Sequence, residues 1–286
     1  MSNNLVGATM KLLITGSKGQ LGIELINQLV DEKEIQLIET DVHNLDISNE
    51  KQVFDLILKE KPQIIINCAA YTNVDACEAN EATAFKVNAV GARNLSAAGY
   101  QIGSKILQVS TDYVFDGYGN TPKREYDRTN PSSVYGRSKE LGEILVRQAN
   151  PRHFIVRTAW LYGEGNNFVR TMLKLAKEKN QISVVNDQFG SPTSTVDLAR
   201  SIINLISTNS FGTYHATCEG QCSWYDFARK IFEITGLDIK VIPITSEELN
   251  RPAPRPKYSV LDNFMLKLIG INTFRNWEEA ITEYLG

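Results

Sequence analysis

The chain has 286 residues, is 42% hydrophobic and carries a net charge of −3, which suits one large α/β domain or two smaller ones. It has no strongly basic block and no apolar run of the ~18 residues that a spanning helix needs, so neither nucleic acid nor membrane is an expected partner. Cys68, Cys77, Cys218 and Cys222 form neither a disulfide framework nor a zinc set, which points to a reducing, cytoplasmic location.

The opening MSNNLVGATM lacks the basic start and apolar core of a secretion signal and is expected to be a short disordered leader. Residues 11–15 (KLLIT) form an apolar run, as expected of a strand buried on both faces. A glycine loop follows, then a helix with Leu21, Leu25, Ile26 and Leu29 on one face. Residues 35–40 read as a second strand and residues 48–59 as a helix with Val53, Leu56 and Ile57 inward. Pro62 precedes a third strand at 64–67. A long helical stretch covers 81–99, and KILQVS at 105–110 is a fourth strand. Another strand lies within 153–158, and helices are expected at 167–177, 194–206, 223–236 and 276–285. Strict alternation of strand and helix implies a doubly wound parallel sheet with right-handed crossovers.

The loop after the first strand reads Gly16-Ser-Lys-Gly19-Gln20-Leu21-Gly22. Three glycines between a strand and a helix suit a dinucleotide. The first allows a tight turn, the second lets backbone approach a pyrophosphate, and the third lets helix pack on strand. The pyrophosphate would meet free N–H groups at the helix start. Asp41, at the end of the second strand, stands 19 positions after Gly22, where an acid can bind ribose hydroxyls and repel a 2′-phosphate. That favours NADH, while Lys18 leaves NADPH open. Asp46 and Ile47 can line the adenine pocket; alternatively Asp46 or Ser48 caps the next helix. Small residues after the third strand, in Cys68-Ala69-Ala70-Tyr71-Thr72, suit a flat ligand at the carboxyl edge of the sheet.

Tyr135 and Lys139 are four apart and share one helix face. A lysine cation beside a phenol is expected to lower its pKa and ready it for proton transfer. Thr111 ends the fourth strand, where its hydroxyl can hold a carbonyl oxygen. Asp112 can hold a substrate hydroxyl or cap the strand end. Trp160 follows the fifth strand and either packs on a sugar or base or belongs to the core. Residues 251–256 (RPAPRP) are too proline-rich for helix. Arg255 there is either part of a diphosphate clamp or on a surface linker. His43, His153 and His215 make no metal constellation, and no catalytic metal is expected.

The loop at 16–22, the Thr111/Tyr135/Lys139 set and the chain length resemble the extended short-chain dehydrogenases/reductases. STDYVFDG at 110–117, RTAWLY at 157–162, GNNF at 165–168, NDQFGSPT at 186–193 and RPAPRP at 251–256 narrow the resemblance to the dTDP-4-dehydrorhamnose reductase family, over nearly the whole chain. It implies a Rossmann-like NAD(P)-binding domain at 1–160 and a smaller α/β, mainly substrate-binding domain at 161–286, with about 186–207 returning to the first. It implies cofactor contacts from Gly19, Gln20, Leu21, Asp46, Ile47, Ala69, Ala70, Tyr71, Thr72, Tyr135 and Lys139, beside those of Gly16, Gly22 and Asp41 read from the loop and strand end. Thr111, Asp112 and Trp160 would meet a dTDP-sugar, joined by Arg255 if residues 251–256 clamp its diphosphate. Thr111, Tyr135 and Lys139 would reduce its C4 ketone with NADH or NADPH. Members of the family can bind Mg²⁺ through glutamates at a dimer contact; Glu24 matches one position, whereas Asp197 lies near another. Monomer and homodimer both stay open. Related nucleotide-sugar epimerases and dehydratases share the fold, but a dehydratase needs Asp-Glu where this chain has Asp112-Tyr113. The non-catalytic methionine adenosyltransferase β subunit resembles the same family and is the alternative outside enzymes.

Overall fold

The computed structural model describes residues 9–286. Residues 1–8 of the expected leader lie outside them, and Met10 already opens the first strand. The elements are β1 (Met10–Thr15), α1 (Gln20–Leu29), β2 (Ile35–Thr40), α2 (Glu50–Glu60), β3 (Ile64–Asn67), α3 (Val74–Ala79), α4 (Glu81–Phe85), α5 (Ala92–Gln101), β4 (Lys105–Thr111), α6 (Val134–Ala149) and β5 (His153–Thr158). They continue with β6 (Leu161–Tyr162), α7 (Phe168–Ala176), β7 (Gln181–Val185), β8 (Phe189–Gly190), β9 (Thr193–Ser194), α8 (Thr195–Ile206) and β10 (Gly212–His215). The last are β11 (Cys222–Ser223), α9 (Trp224–Thr235), β12 (Lys240–Ile244), α10 (Ser246–Leu249), α11 (Phe264–Leu268) and α12 (Trp277–Leu285).

Six strands form the main sheet in the order β10-β5-β4-β3-β1-β2, and every neighbouring pair is parallel. Period-two alternation divides the apolar strand residues between two faces. Leu12, Ile14, Ile66, Leu107 and Phe154 pack with α1 and α8. Leu13, Ile65, Ile106 and Ile155 pack with Val53 and Ile57 of α2 and with Leu95 of α5. The chain leaves β1 toward β2 and then crosses to β3 on the other side of β1. That reversal opens a crevice at the carboxyl ends of β1 and β3, where doubly wound sheets take their ligands. A smaller parallel pair, β7 with β12, stands in the second half. Gly212–His215, in which no strand was expected, adds to the main sheet beside β5.

Several expected helices had absorbed their own caps. Asn49, Asn167, Ser194, Ser223 and Asn276 stay outside the helices and accept hydrogen bonds from the first turns, as short polar side chains do. Hence α2 starts at Glu50 rather than Ser48, and neither Asp46 nor Ser48 caps it. The stretch expected as one helix over 81–99 is α4, a π-helical turn at Lys86–Gly91, and α5. The widened turn carries Asn88, which receives the Tyr71 N–H and donates to Ser138 Oγ.

Candidate functional site

The crevice contains a cavity of about 760 Å³ at the carboxyl edge of the sheet. One end is built by the glycine loop. Gly16 turns the chain out of β1 with φ +68°, and a Cβ there would stand 2.7 Å from Ala69 N. Only glycine accepts both the left-handed backbone and that approach. Gly19 precedes α1 as its cap and Gly19, Gln20, Leu21 and Gly22 line the cavity. Across from them, Ala69, Ala70, Tyr71 and Thr72 form the opposite lip. Asp41 accepts the Lys18 and Val42 N–H groups. Asp46 accepts from Ser48 N and Oγ, and the Ser48 hydroxyl holds its carboxyl below the usual range. Both acids and Ile47 line the same end.

The middle of the cavity is where α6 meets the end of β4. Ser133 caps α6 by receiving Gly136 N–H, and Glu78 of α3 receives Val134 N–H at 2.9 Å. Gly136 lets this helix start close in, because a Cβ there would lie 2.2 Å from Tyr113 O. That approach sets Tyr135 edge-on to Tyr113, ring centroids 5.5 Å apart. Thr111, Asp112, Tyr135 and Lys139 all line the cavity. Thr111 Oγ1 donates to Asp112 Oδ1 at 2.9 Å and accepts Tyr113 N–H. Asp112 Oδ2 and Thr158 Oγ1, both buried, have no protein partner among the described residues. Buried polar atoms left so at a cavity are suited to a polar ligand.

The electrostatics correct one expectation. The Tyr135 pKa is not lowered here, despite the lysine one helical turn on. Burial raises it, and a hydrogen bond with Thr111 is the main offset. Lys139 is 4% exposed, donates to Val109 O at 2.6 Å, and is itself pulled down to about 8 by burial against the pull of Glu143. Desolvation disfavours the charged form of each and is the largest influence on both. Tyr135 is therefore a protonated phenol at neutral pH, ready to give a proton.

Burial pushes Asp112 up to about 6. The folded chain then holds an extra proton between about pH 4 and 6, so this carboxyl lowers stability as pH rises through that window. Asp112→Asn is expected to remove this slope: its urea midpoint relative to the wild type should climb between pH 4 and 6.5. Parallel midpoints would contradict the assignment.

Two sequence expectations meet different surroundings. Trp160, at φ +47°, lines the cavity, but its indole is stacked on Trp224 at 3.5 Å and 5°. Trp224 is a cavity residue with no local signal; it lies 64 positions away and arrives only through the packing of α9. Arg255 is not among the cavity-lining residues. The Asp75 carboxylate takes it bidentately, at 3.0 Å on each oxygen, and also receives Ala253 N–H. The proline-rich strap is thereby fastened to α3, and the expected diphosphate clamp is already engaged by a carboxylate. Thr158 is a further lining residue not singled out from sequence, and Tyr113, noted there only as the residue where a dehydratase has glutamate, lines the cavity too. Glu24 accepts from Gln28, and Asp197 is buried against Arg275. Among the described residues no three His, Cys, Asp or Glu side chains gather as a metal site.

A glycine turn at a sheet switch point, with one cavity running from it to a strand-end threonine and a helical Tyr-x-x-x-Lys pair, defines a Rossmann-type protein laid out as an extended short-chain dehydrogenase/reductase. The family model described as RmlD substrate binding domain matches residues 10–286. A dTDP-4-dehydrorhamnose reductase structure from Clostridium acetobutylicum is 53% identical with a TM-score of 0.95, covering 96% of this chain and 98% of that one. One from Bacillus anthracis, in complex with NADP, is 43% identical with a TM-score of 0.94 and the same coverages. The spore coat polysaccharide biosynthesis protein SpsK of Bacillus subtilis is 43% identical over 96% of both chains. The chain belongs to the RmlD family of dTDP-4-dehydrorhamnose reductases.

Proposed function

We propose that this protein reduces the C4 ketone of dTDP-4-dehydrorhamnose to give dTDP-L-rhamnose, using NADH or NADPH. The observation that carries the reading is the single cavity that joins the glycine turn at Gly16 to Thr111, Tyr135 and Lys139. The residues suit a dinucleotide: Gly16 and Gly22 let the turn and the start of α1 pack closely, since a Cβ at either would clash with backbone at 2.7 and 2.3 Å, and Gly16, Gly19 and Gly22 line the cavity. When bound, the reduced nicotinamide supplies the hydride. Asp41, beside the Lys18 N–H, suits ribose hydroxyls, and Lys18 can answer a 2′-phosphate, so both cofactor forms belong to the proposal.

In this reading Thr111 holds the keto oxygen. Tyr135, kept protonated by burial, gives its proton to the developing alkoxide, a stronger base than phenolate. Lys139, one helical turn on, is cationic enough at neutral pH to stabilise the tyrosinate left behind. Asp112 and the paired indoles of Trp160 and Trp224 face the sugar nucleotide. Residues 1–160 would mainly serve the cofactor and 161–286 the sugar nucleotide. Asp112-Tyr113 lacks the second carboxylate that a dehydratase uses to expel water. A cytoplasmic site of action suits the four free cysteines.

The test is turnover. Purified protein with dTDP-4-dehydrorhamnose should oxidise NADH or NADPH, read at the reduced nicotinamide band. No oxidation with either cofactor would leave the regulatory-subunit reading instead.

A further inference from the structure

Behind the cavity lies a set of buried charges that no step above uses. Glu143 is fully buried on α6, four residues beyond Lys139. Its Oε1 accepts from Ser110 Oγ at 2.6 Å and Arg157 Nε at 2.9 Å. Its Oε2 accepts from Arg157 Nη2 at 2.7 Å and Arg147 Nη2 at 2.8 Å. Arg157, on β5, is 3% exposed. Its Nη1 lies 3.4 Å from His215 Nε2 on β10, and its guanidinium sits over the Phe115 ring at 5.2 Å. Ser110 and Arg157 are register partners, and the next pair along is Thr111 with Thr158. One carboxylate therefore ties the middle of α6 to β4 and β5, one residue short of Thr111.

A buried ion pair is a poor source of stability, because desolvation offsets the attraction and apolar side chains of similar volume do as well. The position of this one points elsewhere. Spacing of four puts Glu143 on the Lys139 face of the helix, and Lys139 is a buried ammonium whose hydrogen bond goes to the neutral carbonyl of Val109. Besides Glu143, Cys68 after β3 acts on Lys139; Tyr135 on its own helix and Asp112 and Tyr113 after β4 line the same cavity. Burial pushes the Cys68 thiol up to about 12 and raises both phenols; Asp112 ionises only above about 6. His215, behind Arg157, is pushed down to about 3 by burial and is neutral. Burial also opposes the charge of Glu143, but the Arg157 and Ser110 hydrogen bonds hold its carboxyl below the usual range.

We infer that Glu143 is a positioning residue of this site: clamped by Ser110 and Arg157, it docks α6 on β4 so that Tyr135 and Lys139 face Thr111, and it supplies the standing negative charge opposite Lys139. The inference deepens the reductase reading, on which the role of Lys139 rests.

The Lys139 ammonium can be followed without turnover, by the ¹³Cε signal of lysine-labelled protein, assigned by its loss in Lys139→Met. Glu143→Gln should lower the titration midpoint by about one pH unit or more, because Arg157 remains as an unopposed cation. Glu143→Leu with Arg157→Met, which keeps the volume and removes both charges, should lower it less. Arg147→Met removes a half-exposed cation from the far side of Glu143 and should raise it by a few tenths of a unit. If the single Gln variant does not fold, the double variant and Arg147→Met carry the same order. The alkaline limb of kcat should follow the midpoints, with KM for the sugar nucleotide unchanged. Unmoved midpoints, or a fall in Arg147→Met, would overturn the inference. Reductase turnover with unmoved midpoints refutes the role of Glu143 alone; moved midpoints without turnover refute the reductase reading alone.

Discussion

Tyr135→Phe is expected to lower kcat by about 10²–10⁴, the usual worth of a positioned general acid, with cofactor affinity and thermal midpoint nearly unchanged. The hydroxyl is the only group removed. It sits against Thr111 at the cavity, while the ring packs with Cys77, Ala84 and Val134 and edge-on to Tyr113. Those contacts survive in phenylalanine. A loss in kcat with an unchanged dissociation constant for the nicotinamide cofactor, measured by fluorescence, separates proton donation from binding. Wild-type rates in the variant would remove Tyr135 from the reaction.

The other large effect is expected at the glycine turn. Gly16→Val places a β-branched residue at φ +68° with backbone atoms of Cys68 and Ala69 at 2.7–2.9 Å from its Cβ. Backbone strain costs about 1–3 kcal/mol, and the forced shift of the opposite lip adds about 1–3 kcal/mol. Both lips of the cradle move apart, so cofactor affinity should fall by at least about 100-fold, roughly 2.7 kcal/mol. Gly119→Val is the control. Its φ is +92°, yet nothing lies within 4 Å of the added carbon. It should cost stability alone and leave calorimetric cofactor binding intact. Equal binding losses in both would mean that Gly16 acts through general stability rather than through the cradle.

Much of this arrangement is legible in the chain because the signals are local. KLLIT, IIIN and KILQVS advertise buried strands by unbroken apolar character, and a glycine triplet between strand and helix needs no tertiary knowledge to interpret. Caps are equally local, though a periodicity reading absorbs Asn49 or Ser223 into the helix that each one terminates. What stays hidden depends on distance. Trp224 reaches Trp160 only through the packing of α9, and the Asp75 carboxylate meets Arg255 across 180 positions. The π-helical turn at Lys86–Gly91 reflects packing of Asn88 against Tyr71 and Ser138, which no local pattern reports. The Tyr135 pKa belongs to the same class: spacing places a cation beside the phenol, whereas the direction of the shift follows from burial. Glu143 is visible as one more polar residue on α6, and only the fold shows it to be sealed against Arg157.

The most direct measurement follows a labelled hydride. Purified protein is incubated with dTDP-4-dehydrorhamnose and NADH or NADPH deuterated at the nicotinamide C4, and the sugar nucleotide is analysed by mass and NMR. The expected product is dTDP-L-rhamnose carrying one deuterium at C4 of the sugar, with one cofactor oxidised per product and both lost in Tyr135→Phe. Product without label, or unchanged substrate in the presence of bound cofactor, would contradict it.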